Sequence, residues 1–593
     1  MFQIKARDKI NKFNFVKKIV NIIFLLILSV ITTSLLFAFL ITGNKYLVFI
    51  NVLFSSLAIP GYFLIQSIWT TLYKDYLWRK TKYEFLEIVH KTKIPEKNNK
   101  VVFVYTTHDD FFESRFLQVT KQTYKNIEYW ISDGSEKKHN IKRVEEFAKK
   151  HNINYFSLGR PSINKGDNLN TFILKSGAKF DYIVIMDADV HVDNNFVETS
   201  LKLFNSENNK SKKLGYISPC VFNYGAKSLF SNWGRNFFGV FQCLAAQTEF
   251  FSPFDRSTLF GACAIIKKEM LVDINKNKKP LFSEGCLEDG YTAWFGCKQG
   301  WNGVINVLSN CSEMFDRTIF ALHKRLLRVY DWTVKYTKEN KFKNYQERYE
   351  NNETTNFLLV ILPIILIFVI LVVLPAVSSL FLIFFNETIS NIYLWLPQLV
   401  FLSVITISFL FYYLYFNHYS QKGIVYRICS LITFFLIIIT LLPEYVKHFI
   451  NSYFFSKYSD FTPSIKTDKQ AQNEKKLIYL LRFKILLVIA TSILIFLLVF
   501  FGIKSGMFIN PKQNILFCIL FWIAIYPLGF MWLSSIAYII LAITSKIISN
   551  PNYNDEDELK NICLESMKFE KTINKFYLDH PEIKKSERLI KYE

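Results

Sequence analysis

The sequence predicts a multi-pass α-helical membrane protein with an inserted, mostly parallel α/β domain. Three observations predict it. Long uncharged apolar runs gather at both ends of the chain. The stretch between them alternates short β-branched strands with helices. Lysines crowd the borders of the apolar runs. Of 593 residues, 51% are hydrophobic and 59 are Phe, more than an ordinary soluble chain carries.

A spanning helix needs about 20 mostly apolar residues. Ile19–Ile41 and Tyr46–Leu72 meet that length, as do Thr355–Phe385, Ile392–Phe416, Ile485–Ile503 and Ile515–Ile543. The N-terminus is basic (Lys5, Arg7, Lys9, Lys12, Lys17, Lys18) and then uncharged from Ile19 to Asn44. That run exceeds a signal-peptide core of about 7–15 residues, so a retained helix is expected. Cys429–Pro443 is shorter and flanked by Arg427, Glu444, Lys447 and His448. Gly423–Phe455 therefore reads as an amphipathic helix in the interface, with a seventh span as the alternative.

Six spans place both termini and the central domain in the cytoplasm. The loop Asn386–Ser390 lacks Lys and Arg, as an outer loop should, whereas Lys504 and Lys512 run against the positive-inside rule. The expected domains are a tail and two spans over 1–75, an α/β domain with an interfacial helix over 76–345, and a membrane region over 346–550. That region holds four spans, the interfacial helix of about 423–455 and a loop over 456–476. A charged tail over 551–593 carries no functional signal.

The formal charge of +22 fits lipid headgroups and membrane orientation. Nucleic acid is not expected, because the chain has neither a Cys-rich finger nor an aromatic-plus-basic RNA motif. Nine cysteines form no C-x-x-C pair, which points to free thiols in a reducing compartment and away from zinc.

The central domain opens with the strand Val101–Tyr105. A helix over Glu113–Gln122, a strand Ile127–Ser132, a basic helix Ile141–His151 and a short strand Asn154–Ser157 follow. The buried strand Tyr182–Met186 then runs into Asp187. Strands alternating with helices predict a sheet covered on both faces, with ligands at the carboxyl ends of the strands.

The acidic residues gather at those ends. Asp187 and Asp189, two residues apart, can reach one divalent cation, which takes hard oxygen ligands, or can be a solvated loop pair. Lys165, beside Gly166, can meet phosphate as a point charge. Asp133 in Asp133-Gly134-Ser135 can accept hydrogen bonds from a base or ribose, or simply build a turn. Glu288-Asp289 opens a helix and can be a cap or a general base. Leu322–Trp332 is a basic amphipathic helix, either a snorkelling face or a source of arginine for a diphosphate.

Taken in order, Asp133, Lys165, Asp187/Asp189, Glu288/Asp289 and Arg328 resemble the processive family-2 glycosyltransferases, such as the cellulose, hyaluronan and bacterial glucan synthases. Gln122-Thr123-Tyr124-Lys125-Asn126 is similar to the family's Q-T-Y-P-N, and Lys165–Asn170 to K-x-G-N-L-N. Gly261–Glu269 is similar to G-x-x-A-x-x-R-R-E, Glu288-Asp289 with Gly300-Trp301 to T-E-D followed by R-G-W, and Phe461–Lys466 to the gating signature F-x-V-T-x-K. The resemblance covers about Tyr46–Ile543.

It implies a GT-A fold and residue roles. Thr106, Asp109 and Asp133 would contact the nucleoside, and Lys165 and Arg328 the diphosphate. Asp187 and Asp189 would serve nucleotide and a Mg²⁺ or Mn²⁺ ion. Asp289 would be the base, next to Glu288. Phe461, Ser464 and Lys466 would close over the loaded site. Three departures stand out: Ser132 replaces an aspartate, Leu287 replaces a threonine, and Q-x-x-R-W becomes Arg325-Leu326-Leu327-Arg328-Val329. Trp332 and Trp294 are the candidates to stack on the acceptor in place of the missing tryptophan.

The implied activity is transfer of a hexose, from UDP-glucose or UDP-galactose, to a growing β-linked polymer that is extruded across the plasma membrane. The implied partners are the nucleotide sugar, the nascent polysaccharide and the bilayer, with the oligomeric state open. A non-processive enzyme making a glycolipid is the alternative. A transporter with a regulatory domain is disfavoured, because there is no G-x-x-x-x-G-K-[ST] loop.

Overall fold

The computed structural model describes residues 2–43, scattered positions over 47–76, then 79–95, 99–206, 213–225, 228–235, 259, 261–276, 281–282, 288–338, 424–457, 471–506, 515–547 and 567–583. The expected spans Thr355–Phe385 and Ile392–Phe416 lie outside the described residues, as does most of Tyr46–Leu72. So do Phe461, Ser464 and Lys466.

The central domain is one sheet of eight strands: β1 Val101–Thr107, β2 Ile127–Asp133, β3 Asn154–Ser157, β4 Tyr182–Asp187, β5 His191–Val192, β6 Leu214–Tyr224, β7 Cys263–Lys267 and β8 Asn302–Met314. Their order is β3-β2-β1-β4-β7-β6-β8-β5. The first four run parallel, and β7 joins β4 antiparallel. This is the mostly parallel sheet that the alternating pattern predicts, inserted between apolar helices.

Strand alternation assigns each side chain to a face. Val101, Phe103 and Tyr105 of β1 join Tyr182, Val184 and Met186 of β4 in one core cluster. Val102, Val104, Ile183 and Ile185 face the other. Asp187 has the parity of Ile183 and Ile185, so it leaves the sheet on that second face. There the helices Lys165–Lys175 and Glu288–Lys298 also pack, through Leu169, Phe172, Ala293 and Phe295. Strand period and helix docking together bring Lys165, Asp187 and Asp289 to one side of the sheet.

Among the described residues, four helical stretches are long and apolar enough to cross a membrane: Ile19–Thr42, Ile428–Phe454, Ile478–Lys504 and Ile523–Lys546. The last two belong to the helices Ala471–Lys504 and Ile515–Lys546, which pack as a hairpin. Its open end meets the α/β domain. The Leu229 amide donates to the Ile547 carbonyl at 3.0 Å, and the Ile319 amide to Ser545 Oγ at 3.2 Å.

The helix Ile424–Phe449 behaves differently. At 1.5 Å per residue its 26 residues run about 39 Å, yet it touches the domain along its whole length. Tyr426 Oη donates to Asn232 Oδ1 at 3.1 Å, His323 Nε2 lies 2.9 Å from Thr440 Oγ1, and His448 Nδ1 lies 2.9 Å from Asp331 Oδ2. A π-helical turn, Ile450–Phe454, continues it. Phe230, Phe315, Ile319, Leu322, Ile437, Leu441, Tyr538 and Leu541 form the shared core of domain and membrane helices.

The C-terminal tail is not bare charge. The helix Met567–Asp579 buries Ile573, Phe576 and Tyr577 in the main core cluster with Phe85, Leu86 and Val89. Tyr83 Oη donates to Asp579 Oδ2 at 2.9 Å. Charge density hid this amphipathic helix. Cys220, Cys263, Cys297, Cys311 and Cys429 are free thiols.

Candidate active site

Parallel register lines up the carboxyl ends of the strands: Thr107 pairs with Asp133, and Thr106 with Asp187. β1 lies between β2 and β4, where the strand order reverses. In an open α/β sheet that reversal opens a crevice.

Asp133 ends β2 in a tight turn. Its Oδ1 accepts from the Ser135 amide at 2.9 Å, and its Oδ2 from Tyr155 Oη at 3.1 Å. Gly134 is required there: a Cβ would lie 2.4 Å from Ser162 Oγ. Ser132, in place of the family's aspartate, is buried and faces Asn168, whose amide nitrogen donates to the Ser132 carbonyl at 3.2 Å. Thr106 Oγ1 donates to the Met186 carbonyl at 3.0 Å and braces β1 on β4. Asp109 has φ 62°. Its Oδ1 accepts from the Lys137 amide at 3.1 Å and from Asn140 Nδ2 at 2.8 Å, so its carboxylate serves the start of the helix Lys138–His151.

Lys165 opens its helix, which Asn164 caps by accepting from the Asp167 amide at 2.8 Å. Its Nζ lies 2.6 Å from Asp187 Oδ1 and also donates to the Gly261 carbonyl. Burial opposes the charge on Lys165, but Asp187, Glu288 and Asp289 outweigh it and hold the ammonium above its ordinary range. The Gly261 amide in turn donates to Asp289 Oδ2 at 2.8 Å. One residue thus bridges Lys165 and the acid pair. A Cβ on Gly261 would sit 2.9 Å from that oxygen.

Asp289 Oδ1 accepts from the Gly290 amide at 2.7 Å. Burial raises both members of the pair, Glu288 to about 8, with mutual repulsion adding to the effect on Glu288. The two amide donors favour the charge on Asp289. The backbone donors thus make Asp289 the readier of the two to ionise, and burial beside it makes Glu288 the readier to hold a proton.

Asp187-Ala188-Asp189-Val190 is a turn, closed by the Val190 amide on the Asp187 carbonyl at 3.2 Å. Asp187 is 37% exposed. Asp189 is buried, with Oδ2 accepting from the Met314 amide at 3.2 Å. Asp110, which follows Asp109, has Oδ1 against the His108 amide at 2.8 Å. Burial, and then the charges of Asp189 and Asp187, push Asp110 up to about 7. Across the crevice, Arg325 Nη1 lies 2.9 Å from Glu313 and 3.6 Å from Asp316. Arg328 is half-buried one turn further along the helix Ile319–Lys338. Trp332 is on that helix and Trp294 on the helix of Glu288.

The structure thus brings Lys165, Asp187 and Asp289 together, with Asp189 in the adjoining turn. Gly261, Asp110, Glu313, Asp316 and Arg325 join these residues without a sequence signal of their own. Gly261 and Arg325 lie inside motifs already quoted, and Asp110 adjoins Asp109, which was the available signal.

A divalent ion fits the donor set. Asp187 and Asp189 offer hard carboxylate oxygens, and Asp187 is open to the crevice. Among the described residues no three His, Cys, Asp or Glu side chains surround one point. Two protein carboxylates completed by substrate phosphates is a common arrangement for Mg²⁺.

Residues 101–274 match the family model described as glycosyl transferase family 2. The match covers strands β1–β7 and the acidic crevice at the carboxyl ends of the parallel strands, so this part of the chain is similar to family-2 glycosyl transferases. Three solved structures are similar. A mannosyltransferase from Pyrobaculum calidifontis, in complex with GDP-Man and Mn²⁺, is 14% identical, spans 64% of this chain and 96% of its own, and has a TM-score of 0.36. GalNAc-T7 with UDP, GalNAc and Mn²⁺ is 15% identical, spans 37% of this chain and 45% of its own, and has a TM-score of 0.27. TarS from S. aureus is 13% identical, spans 40% and 39%, and has a TM-score of 0.27. No curated protein matches the chain significantly.

Proposed function

We propose that the chain is an inverting polysaccharide synthase that moves a hexose from UDP-glucose or UDP-galactose onto a β-linked polymer and extrudes the product across the plasma membrane. The observation that carries this reading is the link Asp187–Lys165–Gly261–Asp289, which sets a phosphate-binding cation and a general base a few ångströms apart.

Thr106, Asp109 and Asp133 border the nucleoside pocket. Lys165 and Arg328 receive the diphosphate. A Mg²⁺ or Mn²⁺ ion held by Asp187 and Asp189 would offset the charge developing on the leaving group. Asp289 removes the proton from an acceptor hydroxyl. The hydroxyl oxygen attacks the anomeric carbon, and the bond to the diphosphate oxygen breaks with its electron pair on the nucleoside diphosphate. One displacement inverts the anomeric centre. Trp294 and Trp332 would stack on the acceptor, and Phe461, Ser464 and Lys466 would close the site.

The topology rests on two contacts. The hairpin of Ala471–Lys504 and Ile515–Lys546 opens toward the domain, and the tail helix packs on the domain. Both support a domain and C-terminus on one side of the membrane, and the lysines of the N-terminus and tail favour the cytoplasmic side. The contacts along Ile424–Phe449 support an interfacial course for that helix.

The test incubates full-length protein in nanodiscs with Mn²⁺ or Mg²⁺ and a panel of nucleotide sugars, then digests the product with linkage-specific hydrolases. A high-molecular-weight, β-linked polymer is expected. A product that partitions wholly into organic solvent as a glycolipid would overturn the polymer reading.

A further inference from the structure

We propose that Arg325 is a guanidinium held in reserve by Glu313 and Asp316, which turns to the diphosphate when a donor docks and so recognises the nucleoside diphosphate. The proposal rests on the functional reading above. It deepens that reading at a position where the resembling family places glutamine.

Three observations carry it. First, Arg325 is enclosed, with 19% side-chain exposure, and so are its partners, Glu313 at 15% and Asp316 at 0%. A buried charge persists only when paired, and here one cation serves two carboxylates. Second, its two contacts are unequal, at 2.9 Å and 3.6 Å. One arm of the fork reaches both acids, and a planar fork has donors on more than one edge. Third, the same guanidinium feels the charges of Asp189 and Asp187 as well as those of its direct partners. It therefore stands within electrostatic reach of the turn beside which a diphosphate would lie.

The groups facing Arg325 are these carboxylates. They come from the end of β8, the segment after it, and the turn after β4. Before a donor binds, the crevice is rich in negative charge, and Arg325 offsets part of it. A diphosphate brings charge of the same sign with oxygens that suit a bidentate fork. Glutamine at this position could donate only neutral hydrogen bonds. No covalent step is involved, because Arg325 exchanges one set of anionic partners for another.

The experiment uses full-length protein in detergent and titrates uridine diphosphate and uridine, each with and without Mn²⁺, by calorimetry. Arg325→Gln alone takes the guanidinium away from two buried carboxylates and can fail to fold. The comparison is therefore between Glu313→Gln and the double variant Glu313→Gln/Arg325→Gln, which removes one charge of each sign relative to the native protein. Loss of a charged, bidentate contact should weaken uridine diphosphate about 10- to 100-fold and leave uridine unchanged. Arg325→Lys, which keeps the charge without the fork, should recover part of that affinity. Equal loss for both ligands, or no loss for either, overturns the proposal while leaving the functional reading standing. Native protein that binds neither ligand overturns the functional reading, and this proposal with it.

Discussion

The division of labour between Asp289 and Glu288 is open to a sharp test by two isosteric changes, Asp289→Asn and Glu288→Gln. Both Asp289 oxygens accept from backbone amides, Gly261 at 2.8 Å and Gly290 at 2.7 Å. An asparagine has one oxygen. Either orientation sets its NH₂ against an N–H, at a cost of about 1–3 kcal/mol of stability for the unsatisfied pair. It also removes the proposed base, and a general base is worth about 10²–10⁴ in rate. Asp289→Asn should therefore lose at least that factor in kcat while keeping nucleotide affinity, since Lys165 and Asp187 are intact. Burial and the charge of Asp289 raise Glu288 and favour its protonated form. Glutamine reproduces that protonated form, so Glu288→Gln should stay within about tenfold of the native kcat, far above a lost general base. The assay is release of nucleoside diphosphate from a donor sugar, with calorimetry for nucleotide binding. If Glu288→Gln is as inactive as Asp289→Asn, or if Asp289→Asn remains active, the assignment of base and proton holder is wrong.

Three further outcomes follow from the same geometry. Glu288 has its folded value raised above its ordinary 4.5 to about 8, so the folded state binds the extra proton. Its contribution to stability is present below about 4.5 and lost as pH rises toward 8. The thermal midpoint should fall over that window, and Glu288→Gln should flatten the fall. Gly134→Ala places a Cβ 2.4 Å from Ser162 Oγ and 2.5 Å from Ser162 Cβ. It should weaken nucleotide binding, and Ser162→Gly should restore it in calorimetric titration. Phe576 is almost fully buried, so Phe576→Ala should cost about 3–5 kcal/mol. It should also lower the domain's thermal midpoint, whereas an unchanged midpoint would mean that the tail helix is not part of the core.

What was legible in the sequence was local chemistry with a short period. β1 and β4 declare themselves because a strand buried on both faces is a near-continuous apolar run, and Val101–Thr107 is buried at every position; β2 and β3, only partly buried, show in their β-branched and aromatic residues. Lys165, Asp187 and Asp289 were legible because charged residues at strand and helix ends stand out against such runs. Three things were not legible. The link through Gly261 is made by backbone groups, which leave no side-chain signature. The Arg325–Glu313 pair depends on how the helix Ile319–Lys338 returns across β8, a tertiary fact. The tail helix alternates lysine and apolar residues, and its buried face, Ile573, Phe576 and Tyr577, acquires meaning only against Phe85 and Val89.

Placement of Arg325 ties the crevice to the membrane helices. Its helix, Ile319–Lys338, is pinned twice to Ile424–Phe449 and the turn after it. His323 meets Thr440 at 2.9 Å, and buried Asp331 meets both His448 at 2.9 Å and Ser452 at 2.6 Å. Close-packed interiors transmit displacement rather than absorb it, and Ile319, Leu322, Ile437 and Leu441 share one core. A shift of the membrane-proximal helix therefore moves the guanidinium relative to Asp187 and Asp189. On the proposed reading, the donor site is completed not by the α/β domain alone but by a helix packed on the apolar helices. That dependence gives a physical reason for a sugar-transfer domain to be built into a membrane protein rather than tethered to one.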